Sequence, residues 1–144
     1  MIDAVIEVVS AFVSTLAFGV LFNIRGKKLV LAALGGMLAW LMFLLFGLFI
    51  PSEAACYLLV SILTSVYSEG MARVLHTPAT AFCIVSLIPL IPGGSLYYTM
   101  ANALQGDATA FIAKATHTLE LAAALALGIL LVTACARKFP LLKK

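Results

Sequence analysis

Apolar residues run along this chain in stretches too long for the core face of a soluble helix, and short polar or basic turns cut them apart. The first stretch covers about residues 4–22 and stops at Asn23-Ile24-Arg25-Gly26-Lys27-Lys28. The second, 29–50, is purely apolar apart from glycine and Trp40 and ends at Pro51-Ser52-Glu53, where a proline and a capping serine restart a helix. The third, 54–73, is less apolar, and its Ser61, Thr64, Ser65, Ser68 and Glu69 must face protein or water. Arg73, His76 and Thr77-Pro78 mark the next turn, before a fourth stretch over 79–102. Gln105-Gly106-Asp107 then leads through Lys114 and His117 to a fifth over 118–136. The pattern predicts an all-α polytopic membrane protein, a single transmembrane domain over 1–144 with about five helices.

Composition agrees with that class and sets the orientation. Hydrophobic residues make up 64%, charged residues 10%, and mean hydropathy is +1.17, whereas soluble domains are about 45–50% apolar. The net charge of +3 sits at the ends of apolar runs, which fits membrane flanking and not nucleic-acid binding. Three basic residues lie in the first turn, one at Arg73 and four after the fifth stretch, against Lys114 alone on the other side. The positive-inside rule therefore places the N-terminus outside and the C-terminus in the cytoplasm. Met1-Ile2-Asp3-Ala4-Val5-Ile6-Glu7 is acidic where a secretory signal is basic, so it reads as the start of the first span, with Asp3 and Glu7 an exposed end. Cys56, Cys83 and Cys135 are odd in number and widely spaced, which suggests small core residues and neither a disulfide framework nor a zinc site.

The fourth stretch carries the sharpest local signal. Pro89, Pro92, Gly93 and Gly94 fall within six residues, more than a simple kink requires, and predict a broken helix. Irregular backbone at membrane depth is tolerated only against protein or a wet cavity, so the break points to a transport pathway. A half-helix beginning near Gly94 would turn free amides and a positive dipole end toward a carboxylate. Ser95, Tyr97 and Tyr98 follow, with the tyrosine hydroxyls either offered to a substrate or set in the interfacial aromatic belt.

Intramembrane charge supplies the other candidates. Glu69 and Arg73 are spaced i, i+4 and share a helix face, as a structural ion pair or as part of the pathway. A poorly solvated Glu69 would bind and release a proton during a transport cycle. Glu120, one turn after His117, opens the fifth span and either meets the same pathway, as a second proton-coupling candidate, or caps the helix. Ala32/Gly36, Gly35/Ala39 and Ala124/Gly128 have the small-xxx-small spacing of close helix contacts. Gly93-Gly94-Ser95 resembles an intramembrane protease loop, but Leu96 stands where glycine is expected and both histidines lie at span ends. No phosphate loop, dinucleotide fingerprint or paired-histidine motif occurs, so no enzyme activity and no cofactor or metal is expected.

Ser68-Glu69, Ala72-Arg73, Thr77-Pro78-Ala79-Thr80 and the run from Ile88 to Met100 resemble, in order and spacing, the small C-terminal-type membrane unit of the threonine/serine exporter family. Weaker similarity takes in Phe22-Asn23 and Ala126-Leu127-Gly128. Some members of that family carry two membrane halves in one polypeptide and others split them into two subunits, with export of threonine, serine and, in split systems, succinate. The resemblance implies a secondary exporter subunit that works with a larger membrane partner, the substrate site lying between the two halves. Two alternatives stand beside it: a self-sufficient homo-oligomeric exporter whose Glu69 binds cationic drugs, and a structural subunit that only supports assembly.

Overall fold

The computed structural model describes residues 2–138, so Lys143 and Lys144 of the C-terminal basic cluster lie outside the described residues. Its helices are α1 (Ile2–Leu21), α2 (Lys27–Gly47), α3 (Glu53–Val74), α4 (Ala79–Leu87), α5 (Gly93–Leu104) and α6 (Ala108–Lys138), with a 3-10 turn over Ile88–Leu90 between α4 and α5. α1, α2, α3 and α6 are each long and apolar enough to cross a membrane, while α4 with its 3-10 turn and α5 qualify together as one span bent by 58°. The chain therefore adopts an all-α fold of four long apolar helices and one bent helix pair, four to five spans in all, with the fourth apolar stretch broken as expected.

Local chemistry sets the ends of these helices. Ser52 Oγ accepts from the Ala55 amide at 3.4 Å and caps α3, whose first turn carries Glu53 and whose last carries Arg73, both favourable to the helix dipole. Asn23 (φ 58°) and Gly26 (φ 65°) turn the chain between α1 and α2 in the left-handed region that asparagine and glycine tolerate. Arg25, Lys27, Lys28, Arg73, Arg137 and Lys138 all belong to turns or helix termini on one side of the bundle, its basic end.

Small residues fix the crossings, as their spacing predicted. A Cβ on Gly36 would run into Thr15 of α1, and one on Gly35 would lie 2.8 Å from the Tyr67 ring of α3. A Cβ on Gly128 of α6 would meet the Ser61 side chain and stand 3.0 Å from the Leu58 carbonyl oxygen of α3. Interhelical hydrogen bonds add to this packing: the Tyr67 hydroxyl donates to Leu31 O at 2.8 Å and Ser86 Oγ to Ala32 O at 3.1 Å. A core of Tyr57, Val60, Leu87, Leu90, Leu121 and Ala124 joins α3, the broken span and α6.

α4 packs against α1, α2 and α3, whereas α5 leaves that group and lies along α6. α6 runs parallel to α3, with His117 Nε2 set 3.1 Å from Glu53 Oε2 at one end and Gly128 against Leu58 and Ser61 further along. At 31 residues α6 reaches about 46 Å, against a hydrocarbon thickness of about 30 Å. Residues 108–116 thus extend beyond the start of α3, and α5 runs beside them, tied by Thr99 Oγ1 to Thr118 Oγ1 at 3.1 Å. The helix itself begins ten residues before the apolar stretch from 118: Asp107 Oδ1 accepts from the Ala110 amide at 3.0 Å and starts it there. Glu120 consequently lies inside α6, exposed, and caps nothing.

Candidate functional site

The hydroxyls of α3 face inward, since Ser61, Thr64, Ser65 and Ser68 are all buried. Ser65, Ser68 and Glu69 stand at i, i+3 and i+4 and so share one edge of the helix. Facing them are Thr80 and Cys83 of α4 and Thr133 of α6, and together they surround a cavity of about 260 Å³ that ends at Leu87, just before the 3-10 turn. Two of the four hydroxyls are engaged: Thr133 Oγ1 donates to Ile129 O at 2.6 Å, and Ser65 Oγ lies 3.6 Å from Cys83 Sγ. The wall is therefore largely carbon, with a carboxylate at one end.

A second space of about 520 Å³ opens toward the basic end, lined by Arg73, His76 and Thr77. The two spaces share Glu69 and Ala79. Glu69 thus stands where a half-open, carbon-walled chamber meets a charged vestibule. Its side chain is 24% exposed, and Arg73 Nη2 lies 3.8 Å from Glu69 Oε2, loose for an ion pair. Ser68 Oγ and Thr77 Oγ1 are, among the described residues, the buried side-chain polar atoms without a hydrogen-bond partner. One lines the chamber and the other the vestibule, so both orphans flank Glu69. A buried hydroxyl left unpaired costs about 1–3 kcal/mol, which a polar ligand in either space would recover.

The helix break has a different setting. Pro89 removes an amide from the ladder and the helix tightens, Ile91 N bonding Ile88 O at 3.1 Å. α5 restarts with Pro92 as its N-cap, which offers no side-chain cap, so the first-turn amides of Gly94 and Ser95 lack one. Gly93 and Gly94 have ordinary φ angles and open space where a Cβ would stand. Nothing within the chain requires glycine at either position. Tyr97 and Tyr98 are exposed and meet edge to face at a centroid distance of 5.4 Å.

The two groups of candidates are accordingly not brought together. Glu69 and Arg73 share the cavities, whereas Pro92, Gly93, Gly94, Ser95, Tyr97 and Tyr98 line neither, and Pro89 faces a separate groove beside Glu7. Glu7 is exposed, as its place at the helix end suggests, and accepts from Trp40 Nε1 at 3.2 Å. Of the cysteines, Cys56 and Cys83 are buried but Cys135 is exposed, which corrects its reading as a core residue. Thr77, Thr80, Cys83 and Thr133 went unremarked as cavity residues in the sequence. Thr77 and Thr80 stood out as part of a family-like motif, while Cys83 and Thr133 signal only as small polar side chains in apolar helices, legible once α3, α4 and α6 are placed side by side.

Comparison with known proteins adds to this geometry. No curated protein and no solved structure matches the chain at a significant level. A sequence profile described as "Threonine/Serine exporter, ThrE" matches residues 7–135, a range that takes in Glu69, the chamber and the helix break. With this match over most of its length, the chain, a multi-pass helical bundle, belongs to the threonine/serine exporter family.

Proposed function

We propose that this chain is the small membrane subunit of a secondary exporter, in which the chamber behind Glu69 receives a small hydroxy amino acid from the vestibule. The observation that carries the reading is the pair of orphaned buried hydroxyls, Ser68 and Thr77, on either side of one carboxylate. A threonine- or serine-sized solute supplies what they lack. Its ammonium suits Glu69 at the junction of the two spaces, and its hydroxyl suits the unpaired oxygens. A dicarboxylate such as succinate is the second substrate class, but it would set a negative charge against Glu69 and push a carboxylate into carbon walls.

In this reading the N-terminus is outside, the basic end is cytoplasmic, and Glu69 exchanges a proton during the cycle. The larger membrane subunit covers the face that α5 and α6 present and closes the pathway there. The glycines at the break, needless for the chain's own packing, admit a close approach of substrate or partner backbone to the start of α5. Efflux of preloaded labelled threonine and serine is the test, measured with this chain alone, with the larger subunit, and with Gly93→Leu in the pair. Efflux is expected from the pair only, and Gly93→Leu is expected to reduce it without lowering the amount of assembled protein, because a side chain there meets only open space in this chain. Efflux from the chain alone would overturn the two-subunit reading in favour of a homo-oligomer. Undiminished efflux in Gly93→Leu would remove the break from the pathway.

A further inference from the structure

The polar residues of α1 do not scatter around the helix. Asp3, Glu7, Ser10 and Ser14 follow at i, i+4, i+7 and i+11, which keeps them on one face of a helix otherwise apolar save for Thr15. Thr15 is turned to another side, buried against Gly36 with its hydroxyl bonded to Ala11 O. The stripe begins at the end of the bundle opposite the basic end and descends to the middle of the span.

That stripe meets the helix break. Glu7, Ser10, Ser14, Trp40 and Pro89 border an open groove of about 310 Å³, far above the volume one water needs. Pro89 stands two residues after Leu87, the last α4 residue lining the Glu69 chamber. The chamber and the groove therefore lie on either side of the same tightened turn, one reaching it from the basic end and the other from the opposite end. The groove's charge is of one sign. Glu7 is its one carboxylate, Ser10, Ser14 and the Trp40 indole are neutral, and among the described residues no basic side chain borders it.

We propose that the α1 stripe is the outer half of the export route, a wet groove selective for a cationic group, which for an amino-acid substrate is its ammonium. This rests on the exporter reading above and adds to it where the substrate goes after the break and which of its ends leads. A carboxylate-lined cleft concentrates cations and repels anions. The groove consequently favours amino acids over dicarboxylates a second time, independently of Glu69.

The test is thiol labelling of the complete exporter, this chain together with its larger subunit, in intact cells. In a chain with Cys56, Cys83 and Cys135 replaced by alanine, Ser10→Cys and Ser14→Cys are compared with Val9→Cys and Val13→Cys, exposed positions off the stripe. Two membrane-impermeant methanethiosulfonate reagents are added outside, one bearing a trimethylammonium group and one a sulfonate, each rate normalised to its reaction with a small thiol in solution. Both serine positions are expected to label while the valine positions do not, with the cationic reagent favoured by about tenfold, the lower end of what a charged cleft does for a counter-ion. Glu7→Gln is expected to diminish that preference. Labelling no faster than at the valines, labelling only from the cytoplasmic side, or labelling without charge preference would each overturn the proposal. Because labelling reads the groove and not flux, charge-selective labelling in a complex that exports no amino acid would leave the groove standing and overturn the exporter reading instead.

Discussion

Exchanging Glu69 for glutamine in the assembled exporter is expected to cut net threonine efflux by about tenfold or more, equivalent to at least about 1.4 kcal/mol of lost transition-state stabilisation. Glutamine keeps the size of the side chain and its capacity for hydrogen bonds, so the junction of chamber and vestibule stays in place. What disappears is the charge that meets an ammonium and the group that carries a proton. Stability is expected to change little, because the Glu69–Arg73 contact is long at 3.8 Å and partly exposed. Two readouts separate the roles. If Glu69 carries the proton, the variant still exchanges labelled for unlabelled threonine, but an imposed pH gradient no longer accelerates net efflux. If it only anchors the ammonium, both processes fall together. Wild-type efflux from Glu69→Gln at a normal level of assembled protein would place the pathway elsewhere and favour a purely structural subunit.

Gly128→Leu is expected to have the largest effect on the fold. At this crossing α6 touches α3 backbone to backbone: an added Cβ meets Ser61 and stands 3.0 Å from the Leu58 carbonyl oxygen, which cannot rotate away. The helices would have to separate, and with them Ile129 and Thr133 would draw back from the chamber that they help to close. Overpacking of a close crossing costs about 1–3 kcal/mol or more. The expected result is a sharp loss of monodisperse protein in size-exclusion chromatography of the solubilised complex, with Gly128→Ala affected less. Gly70→Ala is the control, since a Cβ there meets nothing within 4 Å. Gly128→Leu with wild-type yield and melting behaviour would contradict the α3–α6 register.

The parts of this architecture readable from the chain are those governed by the bilayer. Continuous apolarity located the spans, and Pro89 with Pro92 located the break, because a missing amide disrupts any helix whatever surrounds it. Ala32, Gly35, Gly36 and Gly128 announced crossings through their spacing alone. Apolarity marks a span and not a helix start, and α6 begins at Asp107's cap, well before the apolar stretch and beside α5. The site was only half legible. Glu69 declared itself by the cost of intramembrane charge, but its companions Thr80, Cys83 and Thr133 come from two other helices, and only packing makes them neighbours. Glu7 is exposed as read, but its bond to the distant Trp40 has no local sequence signature.

Cys83 offers the most direct test of the central claim, that the chamber behind Glu69 lies on the substrate route. It lines the chamber and is a native thiol, so no new side chain need be introduced there. In the complete exporter, with Cys56 and Cys135 replaced by alanine, the rate at which a small methanethiosulfonate modifies Cys83 is measured with and without saturating threonine, and efflux is measured afterwards. The account predicts that modification stops efflux and that threonine slows the reaction. A Cys83 that reacts at the same rate with and without threonine, in an exporter that still transports after modification, would contradict it.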